Sequence, residues 1–224
     1  MCLIVLAWQV RASGPLVVAA NRDEFLARPA APAAFWEDAP DILAGRDLEA
    51  GGTWMGVSRG RRFAAVTNYR GGHDPNAAES RGALVSRFLA GTQSAAGYAA
   101  EVSANGSRYS GFNLLLCDGG EFWWTSNRTP APRRLDPGHY ALGNNLLDTP
   151  EVGAIRQRFS QGGESVETLF EVMAQARIRA PIYGTRCSTV LRIATDGGLD
   201  YAERPFDEQG AEGTTVRYSI RRMS

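Results

Sequence analysis

The sequence predicts an α+β fold in which mainly antiparallel sheets are covered by helices. Expected strands come in runs along the chain, and so do expected helices, which favours this arrangement over a doubly wound parallel sheet. Hydrophobic residues make up 44% and charged residues 21% of the 224 residues, a composition typical of a globular chain that can bury a core. No internal repeat or linker interrupts this pattern. We therefore expect residues 1–224 to form a single domain.

The N-terminal segment predicts a hairpin. Residues 2–9 are apolar and β-branched without a helical period, residues 11–15 have the composition of a turn, and residues 16–20 form a second apolar strand. The second strand ends at a polar cluster, residues 21–24. A loop rich in Pro and Ala is expected next, over residues 28–34.

The remaining elements follow from turns and apolar periods. Apolar residues recur at helical spacing over residues 80–90, with Gly91 as a stop, and along one face of residues 164–177. Glycine-rich or charged turns separate neighbouring apolar runs elsewhere, which predicts paired strands. The expected helices are 80–90, 94–104, 151–159 and 164–177. The expected later strands are 54–58, 63–68, 112–117, 121–126, 140–142, 188–195, 199–204 and 214–220.

Charge and motif content narrow the class of protein. Lys+Arg and Asp+Glu balance at 24 each, so nothing global favours nucleic acid or an anionic membrane as a partner. Neither a GxGxxG nor a GxxxxGK[ST] motif is present, which leaves nucleotide binding without support. No apolar stretch is long enough to span a bilayer, and the apolar N-terminal run lacks the basic residues of a signal peptide. The three cysteines form no CxxC or Cys/His ligand pattern, which argues against disulfides or zinc and indicates a reducing cytoplasm.

Cys2 is the first candidate for chemistry. Removal of Met1 would leave a thiol and a free α-amine on the same residue. An α-amine has a pKa of about 7.7–8.0, so it can accept the thiol proton near neutral pH. Such a nucleophile needs no histidine, which suits a chain that has only 2. The alternative is that Cys2 is a small buried residue at the start of a strand.

Asn21, Arg22, Asp23 and Glu24 form the second candidate cluster. In the expected hairpin, the far end of the second strand returns beside Cys2. A carboxylate there can hold the ammonium group, and an arginine can lower the pKa of the thiol. The alternative is a charged strand end in solvent.

Further polar clusters are candidates for an oxyanion hole. Asparagine amides and backbone N–H groups near a nucleophile are what such a hole requires. Each cluster, taken alone, is more often a turn. The clusters are residues 51–54 (GGTW), 67–70 (TNYR), 143–150 (GNNLLDTP) and 184–189 (GTRCST).

Together these blocks resemble the NRDE-motif family, the transport-and-Golgi-organisation proteins. They run in family order from residue 2 to about residue 190, so the resemblance covers most of the chain. The family resembles the N-terminal-nucleophile hydrolases, which implies a four-layer αββα sandwich. The resemblance is carried by Cys2, by residues 21–24, 51–54, 67–70, 80–82 and 111–115, by Asn144 with residues 146–150, and by residues 184–186.

The resemblance implies roles for single residues, by analogy with N-terminal-cysteine amidases. Cys2 would attack an acyl carbon, and Asp23 would lie near its α-amine and thiol. Asn144, with Asn68 as a weaker candidate, would donate hydrogen bonds to the oxyanion. The other motif residues are candidates for binding: Asn21, Arg22, Glu24, Trp54, Tyr69 and Arg70.

The resemblance also implies roles for two arginines. Arg186 would flank the thiol, and Arg22 would be second in line for that role. The amidases carry an arginine just before the asparagine of the second-strand motif, where this chain has Ala20. The geometry around Cys2 is therefore expected to differ from theirs.

These expectations lead to a hydrolase of amides or thioesters that needs no cofactor and acts on a small molecule in the cytoplasm. The family is also linked to haem and to lipid or acyl-CoA handling, so a haem- or acyl-lipid-binding trafficking protein without turnover is the alternative. Haem iron would then be held by His73, His139 or a cysteine, and tryptophans would line the cavity unless they form core. A redox-sensing thiol protein is a third hypothesis. Retention of Met1 would remove the proposed base. The sequence leaves the oligomeric state open.

Overall fold

The computed structural model describes residues 2–221 and divides into two compact units. The first unit comprises the chain up to Arg28, Pro137–Gly143, and the chain from Leu147 onward. The second unit comprises Pro29–Asp136 and Asn144–Leu146. The expectation of a single domain over 1–224 stays a prediction. Met1, whose removal the proposed chemistry requires, lies outside the described residues.

The described chain contains thirteen named strands and four α-helices. The helices are α1 (Arg81–Ala90), α2 (Ala95–Ala104), α3 (Gly153–Gln161) and α4 (Val166–Ala174). The strands are β1 (Leu3–Arg11), β2 (Gly14–Phe25), β3 (Ala30–Phe35), β4 (Ile42–Asp47), β5 (Met55–Ser58), β6 (Phe63–Asn68), β7 (Phe112–Cys117), β8 (Phe122–Ser126), β9 (Arg133–Arg134), β10 (Gly138–Leu142), β11 (Tyr183–Ile193), β12 (Leu199–Pro205) and β13 (Val216–Ile220).

The first unit is built on a six-stranded sheet in the order β10-β1-β2-β11-β12-β13. Its neighbouring strands pair antiparallel. Helix α3 contacts β1 and β10, and α4 contacts β2 and β11. Apolar residues of both helices share a core with Leu3, Val5, Val17 and Ala19. Because side chains alternate across a strand, these residues mark the helix-covered face, and Cys2 and Arg22 belong to the opposite face.

The second unit is built on a seven-stranded sheet in the order β3-β4-β5-β6-β7-β8-β9, also antiparallel. Helices α1 and α2 pack against it. Ser80 and Ser94 begin these helices, and each side chain accepts a hydrogen bond from a first-turn N–H group. Trp36, Trp54 and Trp123 belong to or pack against the core of this unit. Trp36 is therefore a core residue, the alternative that the sequence left open, and Trp54 and Trp123 are partly buried against that core.

Antiparallel sheets with paired helices confirm the predicted fold class. The predicted loop at 28–34 is wrong, since residues 30–35 form β3, and β4 was not expected at all. Alanine and proline have low strand propensity, but β3 lies at the edge of its sheet, where Pro32 costs no ladder hydrogen bond. Strand β11 begins at Tyr183 rather than at residue 188, and α4 ends at Ala174 rather than at residue 177.

Candidate functional site

The predicted hairpin positions Cys2. Leu3 pairs with Asn21 in the β1–β2 register, so Cys2 lies opposite Arg22 and Asp23 lies one position further. The Sγ atom of Cys2 lies 3.6 Å from the main-chain oxygen of Asp23, to which it donates. The polar segment that ends β2 is therefore folded back onto the start of β1, as the sequence predicts.

The surroundings of Cys2 keep its thiol protonated. Burial and, after it, the negative charge of Asp23 raise the pKa of this thiol to about 11, against the lowering effects of the Asp23 carbonyl contact and of Arg22. At neutral pH the resting nucleophile is therefore a thiol rather than a thiolate. An attack by Cys2 requires a base that removes the proton as the new bond forms.

The carboxylate of Asp23 is buried and hydrogen-bonded. Its Oδ1 atom accepts a hydrogen bond of 2.6 Å from the hydroxyl of Thr185 on β11. Burial raises the pKa of Asp23, and the Thr185 bond opposes this by stabilising the ionised form. The phenol of Tyr183 donates to the main-chain oxygen of Asp23 at 3.0 Å, so this oxygen has both Tyr183 and Cys2 as donors.

Arg22 lies between two thiols on one face of the sheet. Cys187 pairs with Arg22 in the β2–β11 register, just as Cys2 lies opposite Arg22 on the other side. The thiols are two strands apart, about 10 Å between Cα atoms, which exceeds the roughly 7 Å limit for a disulfide. Burial, with the charge of Glu203, raises the pKa of Cys187 well above its usual value, and Arg22 opposes the shift.

Arg186 makes main-chain contacts that the resemblance did not imply, and its role beside the thiol stays a prediction. It is the extra residue of a β-bulge, because Thr185 pairs with Asp23 and Cys187 with Arg22. Its guanidinium donates to three main-chain oxygens at and just beyond the end of β2, those of residues 25, 26 and 28, at 3.1, 2.7 and 3.1 Å. Arg186 thus holds the chain beyond β2, and Arg22 is the arginine whose charge lowers the thiol pKa.

Asn21 and Glu24, the other two residues of the NRDE motif, make hydrogen bonds to groups other than the Cys2 thiol. Asn21 is fully buried, donates to the Met173 carbonyl of α4 at 2.9 Å, and accepts from the Ser188 hydroxyl at 2.6 Å. Glu24 accepts a hydrogen bond from the N–H group of Phe25. In the structure Asn21 connects β2 to α4 and β11, and the binding roles of Asn21 and Glu24 stay predictions.

The candidates from residues 67–70 and 143–150 come together within the second unit. The side-chain amide of Asn144 donates to the main-chain oxygen of Asn68 at 2.6 Å, and the N–H group of Arg70 donates to the main-chain oxygen of Asn144 at 2.7 Å. Trp54 packs against the apolar core of that unit, and the guanidinium of Arg128 lies over the ring of Tyr69. The oxyanion and binding roles of these residues stay predictions.

Sequence reasoning missed two residues that contact Asp23. Thr185 belongs to the block at 184–189, but only Arg186 was singled out there. Tyr183 lies five residues before the expected start of its strand. A correct β11 boundary, combined with the β2–β11 register, would have placed both residues beside Asp23. A cavity of about 300 Å³ adjoins this point and is lined by Leu26, Ile178, Arg179, Ala180, Pro181, Gly184, Thr185, Asp207, Glu208, Gln209 and Gly210.

The candidate haem ligands stay predictions. Within residues 2–221 no group of three or more His, Cys, Asp or Glu side chains is arranged to hold a metal ion. His139 is half-buried on β10, where burial and the charge of Arg11 lower its pKa. Burial raises the pKa of Cys117 to about 12. Among the described helices, none has the length and apolar character required to cross a membrane.

The fold has a counterpart among solved structures. The structure of a Caenorhabditis elegans N-acylethanolamine-hydrolyzing acid amidase ortholog matches this chain with a TM-score of 0.54 at 13% sequence identity, covering 85% of this chain and 92% of that chain. This likeness confirms an α+β fold of the N-terminal-nucleophile hydrolase type, as the resemblance implied.

The chain belongs to the Transport and Golgi organisation 2 family, whose sequence profile matches residues 1–179. It is 33% identical to the Transport and Golgi organization protein 2 homolog of Bos taurus, over 98% of this chain and 99% of the relative. The Homo sapiens homolog is also 33% identical, over 91% of this chain and 92% of that protein. The Drosophila melanogaster protein is 31% identical over 71% of this chain and 65% of its own length.

Proposed function

We propose that this protein is an N-terminal-cysteine hydrolase that cleaves an amide or thioester with Cys2 as nucleophile. The observation that carries the proposal is the placement of the Cys2 thiol, 3.6 Å from the Asp23 main-chain oxygen and within the field of Arg22. The charges of Asp23 and Arg22 both act on this thiol at the start of β1, where a processed chain would begin. The fold type supports the proposal, since it is shared with an amidase.

The high pKa of the thiol makes removal of Met1 essential to the mechanism. In a chain that retains Met1, the nitrogen of Cys2 belongs to a peptide bond and cannot accept a proton. In a chain that begins at Cys2, this nitrogen is an amine with an ordinary pKa of about 7.7–8.0. The amine takes the thiol proton while sulfur attacks the acyl carbon, and the carbonyl oxygen becomes an oxyanion.

The second half of the reaction returns the proton. The ammonium group of Cys2 protonates the departing amine or thiol as the bond to the acyl carbon breaks, which leaves an acyl thioester on Sγ. The amine then accepts a proton from water, whose oxygen attacks the thioester. As the bond between the acyl carbon and Sγ breaks, the ammonium group returns this proton to Sγ, which releases the acid and restores the thiol and the amine. Asp23, one register position beyond Arg22, supplies the negative charge that stabilises the ammonium form.

The substrate class of the proposal is the acyl derivative of an amine or a thiol. The name of the Caenorhabditis elegans protein states that it hydrolyses N-acylethanolamines. We carry over only the bond class, an acyl group on nitrogen, together with the thioester that the same nucleophile can attack.

The experiment that tests the proposal compares processed and unprocessed protein. Intact mass reports whether Met1 is absent, and mass after treatment with a thiol-directed acylating probe reports the acyl-enzyme. We expect one adduct on Cys2 in chains that begin at Cys2, none in Cys2→Ala, and an unchanged adduct in the matched controls Cys117→Ser and Cys187→Ser. A screen of amides and thioesters then measures the release of the acyl group. A Cys2 that is no more reactive than Cys117 and Cys187 in the processed chain would end the proposal.

A further inference from the structure

The hydroxyl of Thr185 has its direction determined by the main chain. Thr185 is 4% exposed, and its Oγ1 accepts a hydrogen bond of 2.8 Å from the N–H group of Ile178. The N–H group of Thr185 in turn donates to the main-chain oxygen of Ile178 at 2.9 Å. Because Ile178 is the donor to the hydroxyl oxygen, the single hydroxyl proton is directed to its other neighbour, Oδ1 of Asp23, at 2.6 Å.

This hydrogen bond favours one charge state of the carboxyl group. A hydroxyl that donates to a carboxylate at this distance forms a charge-assisted bond, which stabilises the ionised form. Burial of Asp23 has the opposite effect, because it favours the neutral acid. An ionised Asp23 attracts the ammonium group that the mechanism needs, whereas a neutral one does not.

We propose that Thr185 is a positioning residue that keeps Asp23 ionised and oriented at the amine end of Cys2. The catalytic role of Thr185 rests on the proposed function, whereas its hydrogen bond to Asp23 is a contact within the first unit that does not depend on it. The main-chain ladder between β2 and β11 continues on both sides of this pair, through Gly184 with Glu24 and Cys187 with Arg22. The hydroxyl is therefore not required to hold the strands together. Its removal takes a donor from the Asp23 carboxylate and an acceptor from the Ile178 N–H group, and only the first loss changes the titration of Asp23.

Several charged or titratable groups face this point from the neighbouring strands, and they set the background of any pH profile. Strand β1 contributes Cys2, whose pKa depends on the charge of Asp23, and β2 contributes Arg22 and Glu24. Strand β11 contributes Tyr183, which donates to the Asp23 main-chain oxygen, and Cys187, whose pKa depends on Arg22. None of these groups is altered by a substitution at Thr185. A change in the pH profile on substitution is therefore attributable to Asp23.

The test measures the ionisation of Asp23 directly. Carboxyl carbons of aspartate are titrated by ¹³C NMR in the full chain, with Asp23→Asn assigning the signal. We expect Thr185→Val to raise the pKa of Asp23 by about one to two units, since a charge-assisted hydrogen bond is lost. Thr185→Ser keeps the donor and should restore the original titration. Thr125→Val, which removes a buried threonine hydroxyl from β8 of the other unit, is the matched control.

The second measurement separates this inference from the proposed function. In chains that begin at Cys2, the acidic inflection of the Cys2 acylation rate should move upward in Thr185→Val by the same interval as the NMR titration. An NMR titration of Asp23 that is unchanged in Thr185→Val would overturn the role of Thr185, whatever Cys2 does. A shifted titration with an unreactive Cys2 would support the ionisation role and overturn the proposed hydrolase. Thr185→Ala removes the same donor and replaces Thr185→Val if that variant does not fold.

Discussion

The pH dependence of Cys2 reactivity is the property on which the reasoning about this site depends most. The thiol pKa of about 11 applies to a chain that retains Met1. At pH 8 roughly 0.1% of such a thiol is ionised, against about a quarter of an unperturbed cysteine with a pKa of about 8.5. The thiolate population is therefore lower by roughly 200-fold, and a more basic thiolate recovers only part of this loss through its greater nucleophilicity.

The assay follows iodoacetamide labelling of Cys2 by peptide mass spectrometry from pH 6 to about pH 10. The protein carries Cys117→Ser and Cys187→Ser, so that only one thiol is counted. With Met1 retained, the labelling rate should rise about tenfold per pH unit over the whole range, without a plateau. A plateau that begins near pH 8.5 would refute the argument that burial and Asp23 suppress the thiolate.

The same labelling titration is repeated with a chain that begins at Cys2 and compared with that of the chain that retains Met1. A leader that is cleaved by a protease releases Cys2 as the first residue, and its ammonium group then lies within one residue of the thiol. A nearby positive charge favours the thiolate, so the labelling curve should move to lower pH. Identical curves for the two chains would show that the amine has no influence on the thiol.

Three further predictions concern stability, each measured by denaturant unfolding. Asn21→Ala should lower the free energy of unfolding by about 2–4 kcal/mol, because it leaves two buried hydrogen-bonding groups without their partner. The control Glu24→Gln, near the end of β2, should stay within about 0.5 kcal/mol of the parent, and equal losses in the two variants would contradict the reasoning. Gly14→Ala should cost about 1–3 kcal/mol, since its Cβ would lie 2.1 Å from the Ile193 oxygen at a φ of +153°, and an unchanged midpoint would disagree with this packing. Asp23→Asn should stabilise the protein at pH 7, because the pKa of Asp23 is raised in the folded state and its ionisation therefore opposes folding. The gain in stability should vanish below about pH 4, where Asp23 is protonated in both the folded and the unfolded chain. A gain that is independent of pH would show that it has another cause.

Local patterns were sufficient to predict the hairpin and its consequence. Apolar β-branched residues at 2–9 and 16–20, separated by a turn, specify two adjacent antiparallel strands, and the register places residues 21–24 beside Cys2. Strand β3 was missed because its alanines and Pro32 have low intrinsic strand propensity. The neighbouring strand β4 compensates for that low propensity, which is information that a local pattern does not contain.

The choice between the two arginines shows the limit of sequence reasoning at the site. Arg186 was favoured from the resemblance, yet its side chain binds main-chain oxygens beyond β2, and Arg22 carries the charge that acts on the thiol. The difference originates in the bulge at Arg186, which changes the direction of one side chain in an otherwise alternating strand. A single inserted position cannot be inferred from residue types alone.

The sequence by itself determined the candidate nucleophile, the balance of strands and helices, and the proximity of Cys2 to the NRDE segment, because these depend on composition, periodicity and contacts within the first 25 residues. Only the tertiary structure decided that the thiol is protonated, that Thr185 directs its proton to Asp23, and that Asn21 connects β2 to α4 and β11. The physical reason is the same in each case. These effects arise from burial and from partners about 150 to 170 residues distant along the chain, which only the folded sheet and its helices bring together.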